Sequence, residues 1–266
     1  DPGPRSSIPT LVDALKRQGI KKIDYILLTH IHIDHAGGAG LLLKHYPDAQ
    51  VICHPDGIRH MVNPARLWEG SRKTLGKIAE MYGEIAPIPE KNIGYRDHIE
   101  AGKIIIDAIK TPGHASHHLC YRAGDILFTG DAIGVTCPLK NGFYLRIATP
   151  PVFIYETYRD SLKKVASLGV SHICFAHYGS RHDAKNVFDT ALSQVDNWLA
   201  TVKKHCCLGN ELSDEYIFGE LLKNDQGMAY YHALPRDVQN REKYLALNSI
   251  RGMKDYLRKK EDKKQH

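Results

Sequence analysis

The sequence predicts an α+β fold followed by a helical C-terminal region, and three observations carry that expectation. Short apolar runs of strand length recur through the first two thirds of the chain and end near Gly, Pro, His or Asp. Helical patterns lie between them. From Arg181 onward the strand signal stops, and only apolar residues at three- and four-residue steps remain. A chain of 266 residues with 42% hydrophobic content can bury a substantial core, which excludes a disordered or fibrous protein.

The chain opens Asp1-Pro2-Gly3, and Ile8 to Gly19 then reads as an amphipathic helix closed by glycine. Tyr25-Ile26-Leu27-Leu28 is a strand that runs directly into Thr29-His30-Ile31-His32-Ile33-Asp34-His35-Ala36-Gly37-Gly38. Imidazole nitrogen and carboxylate oxygen are ligands for Zn²⁺, Fe²⁺ or Mn²⁺. Four such residues within six at a strand end would place several donors around one cavity. Leu41-Leu42-Leu43 continues as helix, and Val51-Ile52-Cys53 is a second strand. Pro64 to Glu84 reads as a helical insertion between strand signals, with Leu67, Trp68, Leu75, Ile78, Met81 and Tyr82 as an apolar stripe. Such a stripe either packs as core against the C-terminal helices or forms a lid over a pocket, in which Trp68 would be the main substrate contact.

Ile104-Ile105-Ile106, His118-Leu119-Cys120-Tyr121, Ile126-Leu127-Phe128 and His172-Ile173-Cys174-Phe175 are further strands. Three sites repeat the order of apolar strand and then ligand: His114 in Thr111-Pro112-Gly113-His114, Asp131 in Phe128-Thr129-Gly130-Asp131, and His177 in Phe175-Ala176-His177. Each alone is an ordinary loop residue. With the first motif they supply five histidines and two aspartates, enough for two metal ions with positions open to water and substrate. Tyr178 follows His177 and is a candidate donor to an oxyanion, Tyr144 is expected to line the pocket, and Arg146 is expected on the surface. Ile154 to Gly169 is a helix with Ile154, Tyr158, Leu162, Val165 and Leu168 on one face. Phe188, Leu192, Val195, Leu199 and Val202, then Leu247, Ile250, Met253 and Leu257, mark helices of a region spanning 181–266, packed on the core or on a second subunit of a homodimer.

Composition narrows the classes. No run approaches a membrane span, and the opening residues lack a secretory plan, so a soluble, cytoplasmic protein is expected. The six cysteines have no CxxC spacing and are expected as buried, reduced thiols. The net charge of +6 gathers near the two ends, in Lys16-Arg17, Lys21-Lys22 and the tail Arg258 to Lys264, without interleaved aromatics. That pattern describes solvated faces and argues against a nucleic-acid partner.

The run THIHIDHAGG, followed in order by TPGH, FTGDA and AHYG, resembles the metallo-β-lactamase superfamily, and its spacing is similar to that of the glyoxalase II-like hydrolases. The resemblance spans residues 1 to about 180. It implies a four-layer αββα sandwich with the active site at the sandwich edge, and two divalent metal ions, with zinc the first expectation and iron or manganese as alternatives. By motif match, His30, His32 and His114 would hold one ion, Asp34, His35 and His177 the other, and Asp131 would bridge. The family's chemistry would then be attack of a metal-bridging hydroxide on a small ester, thioester or lactone, with Asp34 as proton shuttle. Asp1-Pro2-Gly3 resembles the family's first motif, usually preceded by N-terminal strands, which this sequence would then be missing. The same resemblance leaves open a mononuclear non-haem iron dioxygenase similar to the persulfide dioxygenases. A metal-dependent phosphodiesterase or nuclease is the third alternative, although the stretch from Asp131 to His177 has no room for a cap domain.

Overall fold

The computed structural model describes residues 1–206 and 212–265. The chain divides into two compact units, one formed by Asp1–Lys110 with His117–Gly124, the other by Thr111–Ser116 with Asp125–His266. The division does not follow the expected boundary at residue 180, because a helix before that point packs directly on the first helix after it.

In the first unit, α1 (Ile8–Arg17) has Pro9 in its first turn and buries Ile8 and Val12, while Lys16 and Arg17 sit at its C-terminal, negative end. Strand β1 (Tyr25–Leu27) leads to a short helix, α2 (Ile33–Ala36), and then to α3 (Ala39–His45). After β2 (Gln50–Ile52) come α4 (Pro55–Val62), α5 (Ala65–Leu75), α6 (Lys77–Tyr82) and the two-residue β3 (Ile93–Gly94). Strands β1, β2 and β3 form a parallel sheet in that order, with Ile26 opposite Val51 and Val51 opposite Ile93. Its core joins Ile8, Ile26, Leu28, Ile31, Ile33, Leu42, Val51 and Met61. An antiparallel meander follows: β4 (His98–Ala101), β5 (Ile104–Lys110) and β6 (Leu119–Ala123). Ile52, Ile99, Leu119 and Tyr121 pack together beneath it, and the buried Tyr121 hydroxyl donates to the Leu28 carbonyl at 2.9 Å.

The insertion expected over 64–84 is two helices, broken at Gly76, whose φ of +54° favours a residue without a β-carbon. The turn divides the apolar stripe. Leu67, Trp68 and Tyr82 pack on the first unit's own core, whereas Ile78 and Met81 are 47% and 75% exposed.

The second unit begins with β7 (Ile126–Phe128), α7 (Tyr155–Ala166), β8 (His172–Cys174) and β9 (Ser180–Arg181). Strands β7 and β8 pair in parallel, and β8 and β9 pair antiparallel. Helices α8 (Ala184–Cys206), α9 (Asp214–Asn224) and α10 (Arg236–Gln265) complete it, and α7 packs on α8. Tyr158, Leu162 and Val165 of α7 are buried as expected, but Ile154 caps the helix and is exposed. On α8 the buried stripe runs through Phe188, Ala191, Val195, Trp198 and Val202, with Leu192 and Leu199 at its margin. Leu247, Ile250, Met253 and Leu257 of α10 are all buried.

Cys53, Cys120 and Cys137 are buried and Cys174 and Cys206 partly so, all as free thiols; Cys207 lies outside the described residues, as do the side chains of Lys263 and Lys264. Among the described residues, no helix is long and apolar enough to cross a membrane.

Candidate metal centre

In the first unit, four ligand-type side chains follow β1. Ile31 and Ile33 are anchored in the core, so the residues alternating with them, His30, His32 and Asp34, are held by a rigid base. The following helix, α2, carries Asp34 and His35. A β-carbon on Gly38 would lie 2.4 Å from Ile8 Cδ1 and 2.9 Å from the Gly3 carbonyl oxygen, so only glycine lets the chain turn this close to α1.

The hydrogen bonds fix which ring nitrogens face inward. The Thr29 hydroxyl donates to the Asp1 carboxylate at 2.6 Å, and its backbone N–H donates to the same group at 2.7 Å. A hydroxyl has one proton, so at 3.0 Å it accepts from Nδ1–H of His30 and leaves Nε2 with the lone pair. His35 likewise gives Nδ1–H to Asp1 at 3.0 Å. Carboxylate or hydroxyl partners of this kind orient metal-binding imidazoles and raise their basicity. His30 Nε2 lies 2.9 Å from His32 Nδ1, and His35 Nε2 lies 3.7 Å from an Asp34 carboxylate oxygen. Two nitrogens at Zn–N distances of about 2.0–2.1 Å on a tetrahedral ion are roughly 3.3 Å apart, so these spacings suit shared ions.

In the second unit, the TPGH turn docks on α7 through the Ser161 hydroxyl, which donates to the Pro112 carbonyl at 2.5 Å. His114 Nδ1 lies 2.6 Å from the Ala148 carbonyl oxygen, which makes Nδ1 the donor and leaves the lone pair on Nε2, the nitrogen facing Asp131. Asp131 follows β7 and is 5% exposed. One of its oxygens is 3.5 Å from His114 Nε2 and the other is 3.4 Å from His177 Nε2. These distances are long for hydrogen bonds but close to the spacing of two donors around one ion. All seven expected ligands are thus residues of groups that could hold a metal, four in the first unit and three in the second.

Residues 1–177 match the family model of the metallo-beta-lactamase superfamily. The chain belongs to the metallo-beta-lactamase superfamily. Its fold is that of the superfamily, as the four motifs implied, with the helical C-terminal region expected from the apolar spacing after Arg181. A metallo-beta-lactamase fold-containing protein of Sulfurisphaera tokodaii is 34% identical over 60% of this chain and 62% of its own. A hydroxyacylglutathione hydrolase of Aeromonas salmonicida is 29% identical over 50% of this chain and 41% of its own. The chain therefore spans less than two thirds of the length of either relative. Among solved structures, an archaeal metallo-beta-lactamase superfamily protein from Sulfolobus tokodaii superposes with a TM-score of 0.60 at 27% identity, covering 80% of this chain and 82% of that one. A metallo-beta-lactamase family protein from Thermus thermophilus gives 0.65 at 20% identity, over 97% and 82%, and speaks for the fold alone.

The other expected residues fare differently. Tyr178 is half-exposed and lines a cleft of about 150 Å³ in the second unit, with Thr136, Phe143, Phe175 and Arg181. Tyr144 does not border a pocket: it is fully buried, and its hydroxyl donates to Glu242 at 3.2 Å. Arg146 is not on the surface either, since burial opposite Glu242 at 2.7 Å makes it half of an internal ion pair. Trp68 is packed on the core of the first unit. Motif reading passed over Asp1 and Thr29 as ligand-orienting groups, and His117 and His118, whose rings lie 6.4 and 5.1 Å from that of His30. The His117-His118 doublet, separated from the TPGH motif by two residues, was the available signal for the last two.

Proposed function

We propose that the two half-sets together hold two divalent metal ions, zinc first, and that the protein hydrolyses a small ester, thioester or lactone. The observation that carries this reading is Asp131, whose two carboxylate oxygens face different histidines, as a bridging ligand requires. His30, His32 and His114 would hold one ion, Asp34, His35 and His177 the other, and Asp131 both. All seven lie within the span matched to a superfamily made up largely of metal-dependent hydrolases. Bound there, the ions would supply an activated water at neutral pH and charge to polarise a carbonyl oxygen.

The remaining steps belong to the chain's own groups. Asp34 is partly exposed, at 29%, so its carboxylate is able to take a proton and pass it to a departing alkoxide or thiolate. Tyr178, the residue after His177 in the chain, would donate its phenolic hydrogen to the substrate. Elemental analysis of the purified protein, joined to a panel of thioester, lactone and phosphodiester substrates assayed both with and without oxygen, tests the proposal. About two metal ions per chain with thioester or lactone cleavage is the expected result. A single iron with oxygen consumption, or cleavage of the phosphodiesters alone, would overturn it.

A further inference from the structure

We infer that Glu242, on α10, is a positioning residue for His114, acting through Arg146 and the segment 145–149. The inference rests on reading His114 as a metal ligand. Nδ1 of that imidazole is held by the Ala148 carbonyl at 2.6 Å. A shift of that oxygen would rotate the ring and move Nε2 away from the position it shares with Asp131.

Ala148 sits in a short irregular segment tied down on both sides by the C-terminal helices. Gln194 of α8 accepts from the Ile147 N–H at 2.6 Å and donates to the Leu145 carbonyl at 2.8 Å. On the far side, the Ser249 hydroxyl of α10 donates to the Thr149 carbonyl at 3.2 Å. Arg146 pairs its backbone with Val135 and reaches the Ile147 carbonyl through Nη1 at 3.0 Å, while its Nε donates to Glu242 at 2.7 Å. Tyr144 and Arg241 donate to the same carboxylate at 3.2 Å each. Arg146 and Glu242 are 3% and 1% exposed. An apolar pair of equal volume would commonly fill such a space with no loss of stability, so what the ion pair adds is a fixed direction for the guanidinium and hence for the peptide it grips.

The test compares R146M/E242L and S249A with the unaltered protein and H114A, using Co²⁺ as the probe metal. Three quantities are measured: chelator-competition affinity, the visible absorption spectrum of the cobalt-loaded protein, and the melting temperature without metal. In R146M/E242L, melting should stay within a few degrees, while affinity for one of the bound ions falls about tenfold or more and the spectrum changes. S249A, which leaves the ion pair intact and should fold normally, is expected to shift both in the same direction by less. H114A should weaken binding more than either. Wild-type affinity and spectrum in every folded variant of the clamp, with H114A impaired, would overturn the inference and leave the metal reading standing. Unchanged cobalt binding in H114A would overturn both.

Discussion

Asp131 is a nearly buried carboxylate with an imidazole nitrogen facing each oxygen, and the neutral amide in Asp131→Asn would keep its shape while removing its charge. Elemental analysis of that variant should find no more than about half the metal of the unaltered protein, with metal-free melting essentially unchanged; full metal content would remove Asp131 as a bridge. Asp34→Asn should leave circular dichroism intact while hydrolysis drops roughly 10²-fold, and near-normal turnover would exclude it as proton carrier. A third residue gives a pH dependence. Burial pushes the Glu242 carboxyl up, but the Arg146 and Arg241 guanidiniums outweigh this and hold it below the usual carboxylate range. A depressed pKa adds stability that is fully present above the unfolded value of about 4.3 and is lost progressively as pH falls from there through the lower folded-state value. Denaturant titrations of the metal-free protein should therefore show Glu242→Gln much weaker than wild type at pH 7, with the gap narrowing toward pH 3.5. A gap independent of pH would mean that Glu242 acts by shape alone. The seven candidate ligands were legible because their types cluster at strand ends. Tyr144 and Arg146 were not, because what buries them is a carboxylate 98 and 96 positions further along the chain.

Strands and helices with strong apolar periodicity, such as β5, β6, α7 and α10, follow directly from the sequence. Strand β4 escaped because His98-Ile99-Glu100-Ala101 turns only Ile99 fully inward, so no apolar run announces it. The α5–α6 pair was read as one helix, and its break at Gly76 redistributes the roles along it. Helix α6 packs on α2, which carries Asp34 and His35, and leaves Ile78 and Met81 exposed, so an apolar substrate contact on this insertion is tested at Met81 rather than at Trp68. Trp68→Ala should then act mainly on stability, lowering it by about 2 kcal/mol through lost packing, with turnover of long and short acyl substrates affected alike. Met81→Ser alters an exposed side chain and should leave stability within about 0.5 kcal/mol. It is expected to raise KM for a long-chain ester or lactone more than for a short one, and equal KM changes would dismiss α6 as a substrate contact.

At the scale of the whole molecule, the C-terminal helices are part of a core rather than an attachment. Trp198, Val195, Leu221 and Ile250 are all fully buried in the second unit. A chain ending at residue 180 would leave the apolar side of α7 open to water, and it should give non-cooperative melting and dye binding typical of exposed apolar surface. A sharp transition in that fragment would mean that the first 180 residues fold alone. The superfamily assignment was legible from four short motifs, whereas the division into units was not, since it depends on contacts between distant segments. The path of the backbone has one more consequence. Thr111–Ser116 belongs to the second unit, yet the residues on both sides of it belong to the first. The polypeptide therefore passes between the units three times, and no single cut sorts its residues into two complete halves. A genetic crossover at any one point would deliver a hybrid with part of one unit stitched to the other, so new specificities on this frame are more readily reached by substitutions and loop insertions than by trading a whole cassette.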